Sequence, residues 1–250
     1  MPEMTKKQLP DYVKAYDPWS AVFFVDPIVV PLTPKIARLG VTPNAVTILS
    51  FLCALFSGLM FAFCHWWYAS GLFLATFFLD ALDGKLARFT GTISEFGAKL
   101  DNFADFVRKP LCFLGIFVCS FLNERFFFAG LVVVAFVAHV AVHKLFIFLD
   151  INHCDLEFPK FHRKVVRRFV PRMVALYTYF DEQFILFIIC PTIISALGLR
   201  KRGEWFFWCS IVTTGLCLLK LAVVCWHRRK GRYNEVHQDW FRTKGNLDKI

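Results

Sequence analysis

Residues 45–63 form a stretch of 19 residues without a single charge. About 20 apolar residues suffice for one helical crossing of a bilayer. The pattern recurs. Apolar runs start near Ser70, at Leu111 after an acidic beginning near Gly97, at Phe126, at Phe184 and at Trp205. The 250 residues are 57% hydrophobic and include 31 Phe, and mean hydropathy is +0.51. A soluble globule of this size cannot hide so much apolar surface, and a disordered chain needs low hydrophobicity. The expected fold is an all-α integral membrane protein of six transmembrane helices. A juxtamembrane, interfacial helix precedes them, because residues 21–34 are too short and too interrupted by Pro27, Pro31 and Pro34 to span. The expected organisation is 1–40 as a cytoplasmic or interfacial segment, 41–228 as the catalytic membrane domain and 229–250 as a basic tail.

Charge sets the expected orientation. Net charge is +10. Of the 29 Lys and Arg, 24 fall on the side of the two termini and 4 on the other, with Lys220 inside the sixth run. The positive-inside rule then puts both termini in the cytoplasm. Arg200, Lys201 and Arg202 run against it. The basic charge is read as contact with anionic lipids and not with nucleic acid. Residues 158–172, with six Lys and Arg between apolar residues, read as an amphipathic stretch at the membrane surface. The nine Cys contain no CxxC pair and lie mostly in apolar runs. They read as small apolar residues, not as a disulfide framework or a zinc site. Lys220 reads as snorkelling to the interface, and Pro191 as kinking the fifth span.

One region breaks the apolar pattern. Asp80, Asp83, Gly84, Ala87 and Arg88 share one helical face, an arc of about 140° at 100° per residue. Asp101 and Asp105 are four apart and share another. The connector, Phe89 to Phe96, is short enough to make the two helices antiparallel neighbours. Each acid costs about 2.5–3.5 kcal/mol at mid-bilayer, so a function is expected for them. Four converging carboxylates repel one another, and divalent cations relieve this. Oxygen ligands suit Mg²⁺ or Mn²⁺. Two ions would clamp an in-line displacement at phosphorus. Gly84 and Ala87 leave room for a phosphate or nucleotide, and Arg88 supplies a fixed cation for it. The competing reading is a set of structural salt bridges, which rarely return their desolvation cost.

The string D-x2-D-G-x2-A-R-x8-G-x3-D-x3-D resembles the signature of the CDP-alcohol phosphotransferase (phosphatidyltransferase) family. Asp80, Asp83, Gly84, Ala87, Arg88, Gly97, Asp101 and Asp105 match every position over 26 residues. The resemblance implies two metal ions, Mg²⁺ or Mn²⁺, held by the four Asp, with Asp105 as general base. It also implies a homodimer whose site opens to the cytoplasm. The implied donor is a CDP-linked lipid, CDP-diacylglycerol, and the acceptor a small polar alcohol such as inositol, inositol phosphate, glycerol phosphate or serine. CMP is released. The alternative reverses the polarity, with CDP-choline or CDP-ethanolamine as donor and diacylglycerol as acceptor. Two remote readings are a cation carrier and an inactive scaffold.

Residues 42–47 are similar to the segment that opens the first helix in this family. Asn44 and Thr47 are therefore candidates to face the nucleotide, with helix capping as the competing reading for Asn44 and Thr42. His139 and His143, four apart on the fourth helix, are candidates for the acceptor site, as are Arg108 and Lys109 one turn beyond Asp105.

Overall fold

Thr42 starts the first long helix. Its backbone is extended and its hydroxyl accepts from Ala45 N at 3.3 Å, while Pro43 fills the first helical position, where no N–H is missed. The computed structural model describes residues 10–13, 16–123, 126–149, 173–175, 178–199 and 202–229. In chain order they form β1 (Tyr16–Pro18), a π-helical turn (Ala21–Val25), α1 (Asp26–Arg38), α2 (Pro43–Ala62), α3 (Trp66–Thr90), α4 (Glu95–Asn123) and α5 (Phe126–Phe148). There follow β2 (Met173–Ala175), α6 (Tyr179–Phe184), a second π-helical turn (Ile185–Ile189), α7 (Cys190–Ala196) and α8 (Arg202–Arg229). The two strands pair in parallel over three residues, Tyr16 opposite Met173. The architecture is all-α.

α3 ends at Gly91, whose φ of +67° suits glycine, and α4 begins four residues later. The turn is shorter than the eight residues expected, because both helices extend beyond their apolar runs. α2 and α4 meet backbone to backbone. A Cβ on Gly58 would stand 2.9 Å from the Leu111 carbonyl oxygen, and one on Gly115 would run into the Gly58 carbonyl. The core beside this contact is aromatic. Phe61, Trp66, Phe73, Phe77, Phe113, Phe187 and Phe206 are buried together, and Phe113 meets Phe187 and Phe206 edge-on at 5.5 Å.

The first π-helical turn and α1 lay Val25 and Val29 on Val46, Leu82 and Leu86. The helix continues through Pro31 and Pro34. Pro34 has no N–H to offer the Val30 carbonyl, and the Tyr12 hydroxyl donates to that oxygen instead, at 3.1 Å. α4 likewise runs through Pro110. The second π-helical turn lies immediately before Pro191, where the missing N–H breaks the regular ladder.

Among the described residues three helical segments are long and apolar enough to cross a membrane: Pro43–Ala62, Phe126–Phe146 and Arg202–Trp226. They keep large apolar residues outside, such as Ile48, Leu49, Leu52, Phe56 and Leu59 on α2. That outward face matches a lipid surround and not water.

Two sequence expectations need correction. Cys64 and Cys119 form a disulfide, joining the α2–α3 corner to the last turn of α4. Apolar surroundings hid the pair, since the two residues lie 55 apart in sequence and meet because α2, which ends just before Cys64, packs along α4. Six other cysteines are free thiols, and Cys154 lies outside the described residues. Lys220 does not extend outward. It is 5% exposed, with Nζ 5.9 Å from the centre of the Phe146 ring. The basic 158–172 stretch lies outside the described residues.

Candidate functional site

The short Gly91 turn joins α3 to α4, and α2 packs on both. Asp80 then faces Asp101 and Asp105. Each of the three offers a carboxylate oxygen, and these oxygens lie within 4.8 Å of one another. All three residues are half-buried. The donor set is purely oxygen, which fits a hard divalent cation such as Mg²⁺ or Mn²⁺.

Cations balance part of this charge. Arg108 Nη2 donates to Asp80 Oδ1 at 2.6 Å and to Asp105 Oδ1. Asp83 stands apart from the trio. It is 5% exposed, and its Oδ2 accepts from the Thr47 hydroxyl of α2 at 2.6 Å. The helical face that carries Asp80 and Asp83 is thus split between two neighbours, α4 and α2.

The other motif residues line the same end. Arg88 Nε donates to the Tyr12 carbonyl at 2.8 Å, so residues before β1 pack on the motif. Tyr12 also packs edge-on against Phe89. A Cβ on Gly84 would meet the Arg88 guanidinium at an ordinary 3.5 Å, so packing does not demand glycine there. Gly97 differs: a Cβ would stand 2.9 Å from Asn44 Oδ1 and 3.0 Å from Ser94 Oγ. Its bare backbone lets Asn44 reach the start of α4. Ala87 is half-buried beside Arg88. Asn44 and Thr47, from the first turns of α2, therefore both come to the acidic end, and Thr42 does the capping.

The four residues considered for an acceptor divide. Arg108 joins the carboxylates. Lys109 and His139 join a separate buried cluster around Glu182 of α6. Lys109 Nζ lies 3.2 Å from Glu182 Oε2, and His139 Nε2 lies 2.7 Å from Glu182 Oε1. The His139 ring also meets the hydroxyls of Ser210, Thr213 and Thr214 on α8 at 2.9–3.3 Å. His143 is half-buried one turn farther along α5.

Sequence reasoning missed Glu182 by starting the fifth helix at Phe184. A signal was present. Thr178 and Asp181 form a capping box, which marks a helix start three residues before Asp181. Asp181 is fully buried and also accepts from Ser20 N and Oγ at 3.0 and 2.6 Å, tying the N-terminal segment to α6. Lys85, inside the motif, makes a buried ion pair with Asp26 at 2.7 Å, which holds α1 on α3.

Comparison with known proteins bears on this arrangement. The family model for CDP-alcohol phosphatidyltransferase matches residues 40–214. Archaetidylinositol phosphate synthase of Pyrococcus horikoshii is 41% identical over 81 residues, which are 32% of this chain and 43% of that protein. The chain thus spans less than half the length of that relative. Crystal structures of phosphatidylinositol phosphate synthase from Mycobacterium tuberculosis share the fold. The complex with manganese and citrate gives a TM-score of 0.54 at 17% identity, over 78% of this chain and 88% of that one. The form with CDP-DAG bound gives 0.53 at 16% identity, over 78% and 92%.

Proposed function

Because the chain belongs to the CDP-alcohol phosphatidyltransferase family, we propose that it transfers a phosphatidyl group from CDP-diacylglycerol to the hydroxyl of a small polar alcohol and releases CMP. The observation that carries this is the convergence of Asp80, Asp101 and Asp105 at the α3–α4 turn, inside the complete eight-residue motif. The CDP-DAG bound to a structural neighbour supports the donor over CDP-choline or CDP-ethanolamine. Two ions, Mg²⁺ or Mn²⁺, held by Asp80, Asp83, Asp101 and Asp105 would neutralise the pyrophosphate and the charge growing on the leaving CMP. Manganese in a neighbour structure supports the metal class.

Asp105 accepts the proton of the acceptor hydroxyl. The freed oxygen bonds to the lipid-linked phosphorus as the bond to CMP breaks, and CMP keeps the electron pair. Arg88 binds phosphate oxygens through the guanidinium nitrogens beyond its Nε, which is held by Tyr12. Gly84 and Ala87 keep the surface beside Arg88 low for a nucleotide, and Gly97 makes room for Asn44, which stands with Thr47 at the edge of the site. Of the acceptor candidates, Arg108 lies at the carboxylates and Lys109 and His139 at Glu182, and His143 is assigned to the acceptor with them.

The membrane arrangement belongs to the same proposal. α2, α3, α4, α5, the α6–α7 pair and α8 make six spans in a homodimer, and the carboxylate end and both termini face the cytoplasm. The distribution of Lys and Arg supports this sidedness. So does the Cys64–Cys119 disulfide at the far end of α3 and α4, since disulfides persist on oxidising sides of membranes.

The test is CMP release by the purified protein in detergent with Mg²⁺ or Mn²⁺. CDP-diacylglycerol is offered with inositol, inositol phosphate, glycerol phosphate or serine; CDP-choline and CDP-ethanolamine are offered with diacylglycerol. The expected result is metal-dependent release with CDP-diacylglycerol and one alcohol, lowered about 10²–10⁴-fold in Asp105→Asn. Release confined to CDP-choline or CDP-ethanolamine would reverse the donor assignment, and an unaffected Asp105→Asn would remove the general base.

A further inference from the structure

Arg108 is 1% exposed. A buried guanidinium needs opposite charge around it to repay the loss of water. Its hydrogen bonds among the described residues leave from one nitrogen, Nη2, to Asp80 Oδ1 and Asp105 Oδ1. Nε and Nη1 are buried without a hydrogen-bond partner among those residues, and Cζ stands 5.8 Å from the centre of the Phe77 ring. The side chain is thus enclosed by α3 and α4 and committed to two carboxylates, one on each helix.

We infer that Arg108 is a positioning residue for a divalent cation: it bridges Asp80 to Asp105 and fixes the spacing of the carboxylates that, with Asp101, hold the ion. The inference rests on reading the acidic trio as a metal centre. Two effects oppose each other here. The positive charge of Arg108 repels an ion, whereas its bridge keeps mutually repelling carboxylates from turning apart. The geometry favours the second. The guanidinium takes one oxygen of each acid and links α3 to α4 at the acidic end, beyond the Gly91 turn. Partners that orient ligating carboxylates typically contribute about 10–100-fold to metal affinity.

The experiment is a Mn²⁺ titration of the full-length protein in detergent, with free Mn²⁺ read by electron paramagnetic resonance. Arg108→Gln is expected to weaken Mn²⁺ binding about 10–100-fold. Arg108→Lys keeps the charge without the planar fork and is expected to fall between Arg108→Gln and the unaltered protein. Lys35→Gln, at an exposed position of α1 outside the site, is expected to leave Mn²⁺ affinity unchanged. Gel filtration and thermal melting accompany each variant, and Arg108→Lys carries the test if Arg108→Gln does not fold. Equal or tighter Mn²⁺ binding by folded Arg108 variants would overturn the inference, tighter binding marking Arg108 as a competitor of the ion. Mn²⁺ binding that is equally weak in the unaltered protein and Asp101→Asn would instead overturn the metal centre itself.

Discussion

α2, α5 and α8 are 20, 23 and 28 residues long, and α3 and α4 are 25 and 29. Length therefore does not separate the two groups; the placement of polar residues does. The first three carry the apolar segments able to cross a membrane, and much of that apolar surface points outward. The α3–α4 hairpin turns its acids and Arg108 inward at one end, where each described contact is with a named partner. An outward apolar side chain has many acceptable replacements, because any apolar group suits lipid. An inward carboxylate answers to one or two atoms and has almost none.

The sharpest way to break this comparison lies where the hairpin joins the rest of the molecule. Glu182→Ala removes the carboxylate that the Lys109 ammonium, 6% exposed, and the His139 ring both meet. The expected loss is about 3–5 kcal/mol, as for removal of one member of a buried ion pair. It is read as a lowered melting temperature in detergent. Glu182→Gln combined with Lys109→Met removes both charges and is expected to recover much of the loss. An unchanged melt for Glu182→Ala would mean that water or another group takes over the Lys109 charge. A smaller effect is expected at the α2–α4 contact. Gly115→Ala pushes a methyl into the Gly58 carbonyl, with an expected cost of about 1–3 kcal/mol. Outward α2 substitutions, Leu49→Ala or Phe56→Ala, are expected to stay within about 0.5 kcal/mol in detergent. A large loss from either one would place that residue against another protein surface, such as a second copy of the chain.

What could be read from sequence follows the same divide. The spacing of Asp80, Asp101 and Asp105 sufficed to bring them together, because helical periodicity and a short connector are local properties. The separation of Asp83 was not local. Asp80 and Asp83 lie about 60° apart around the helix, and only the packing of α2 decides that Thr47 takes Asp83 while α4 takes Asp80. Lys109 and Glu182 are 73 residues apart, with no periodic signal connecting them. The apolar runs marked helix centres well and helix ends poorly. α3 continues 11 residues beyond Leu79, because capping and burial of the acids, not hydropathy, carry it to Gly91.

The disulfide has a topological consequence for the motif. The backbone from Cys64 to Cys119 is closed by sulfur, and every motif residue from Asp80 to Asp105 lies inside that closed circuit. α3 and α4 are consequently tied at both extremities, by the peptide turn at the acidic end and by the cystine at the other. The hairpin is a macrocycle, and a chain cleaved within residues 91–94 would still hold its two acidic helices together. α1 and α2 lie outside the circuit and reach it beside the acids, through the Asp26–Lys85 and Thr47–Asp83 contacts.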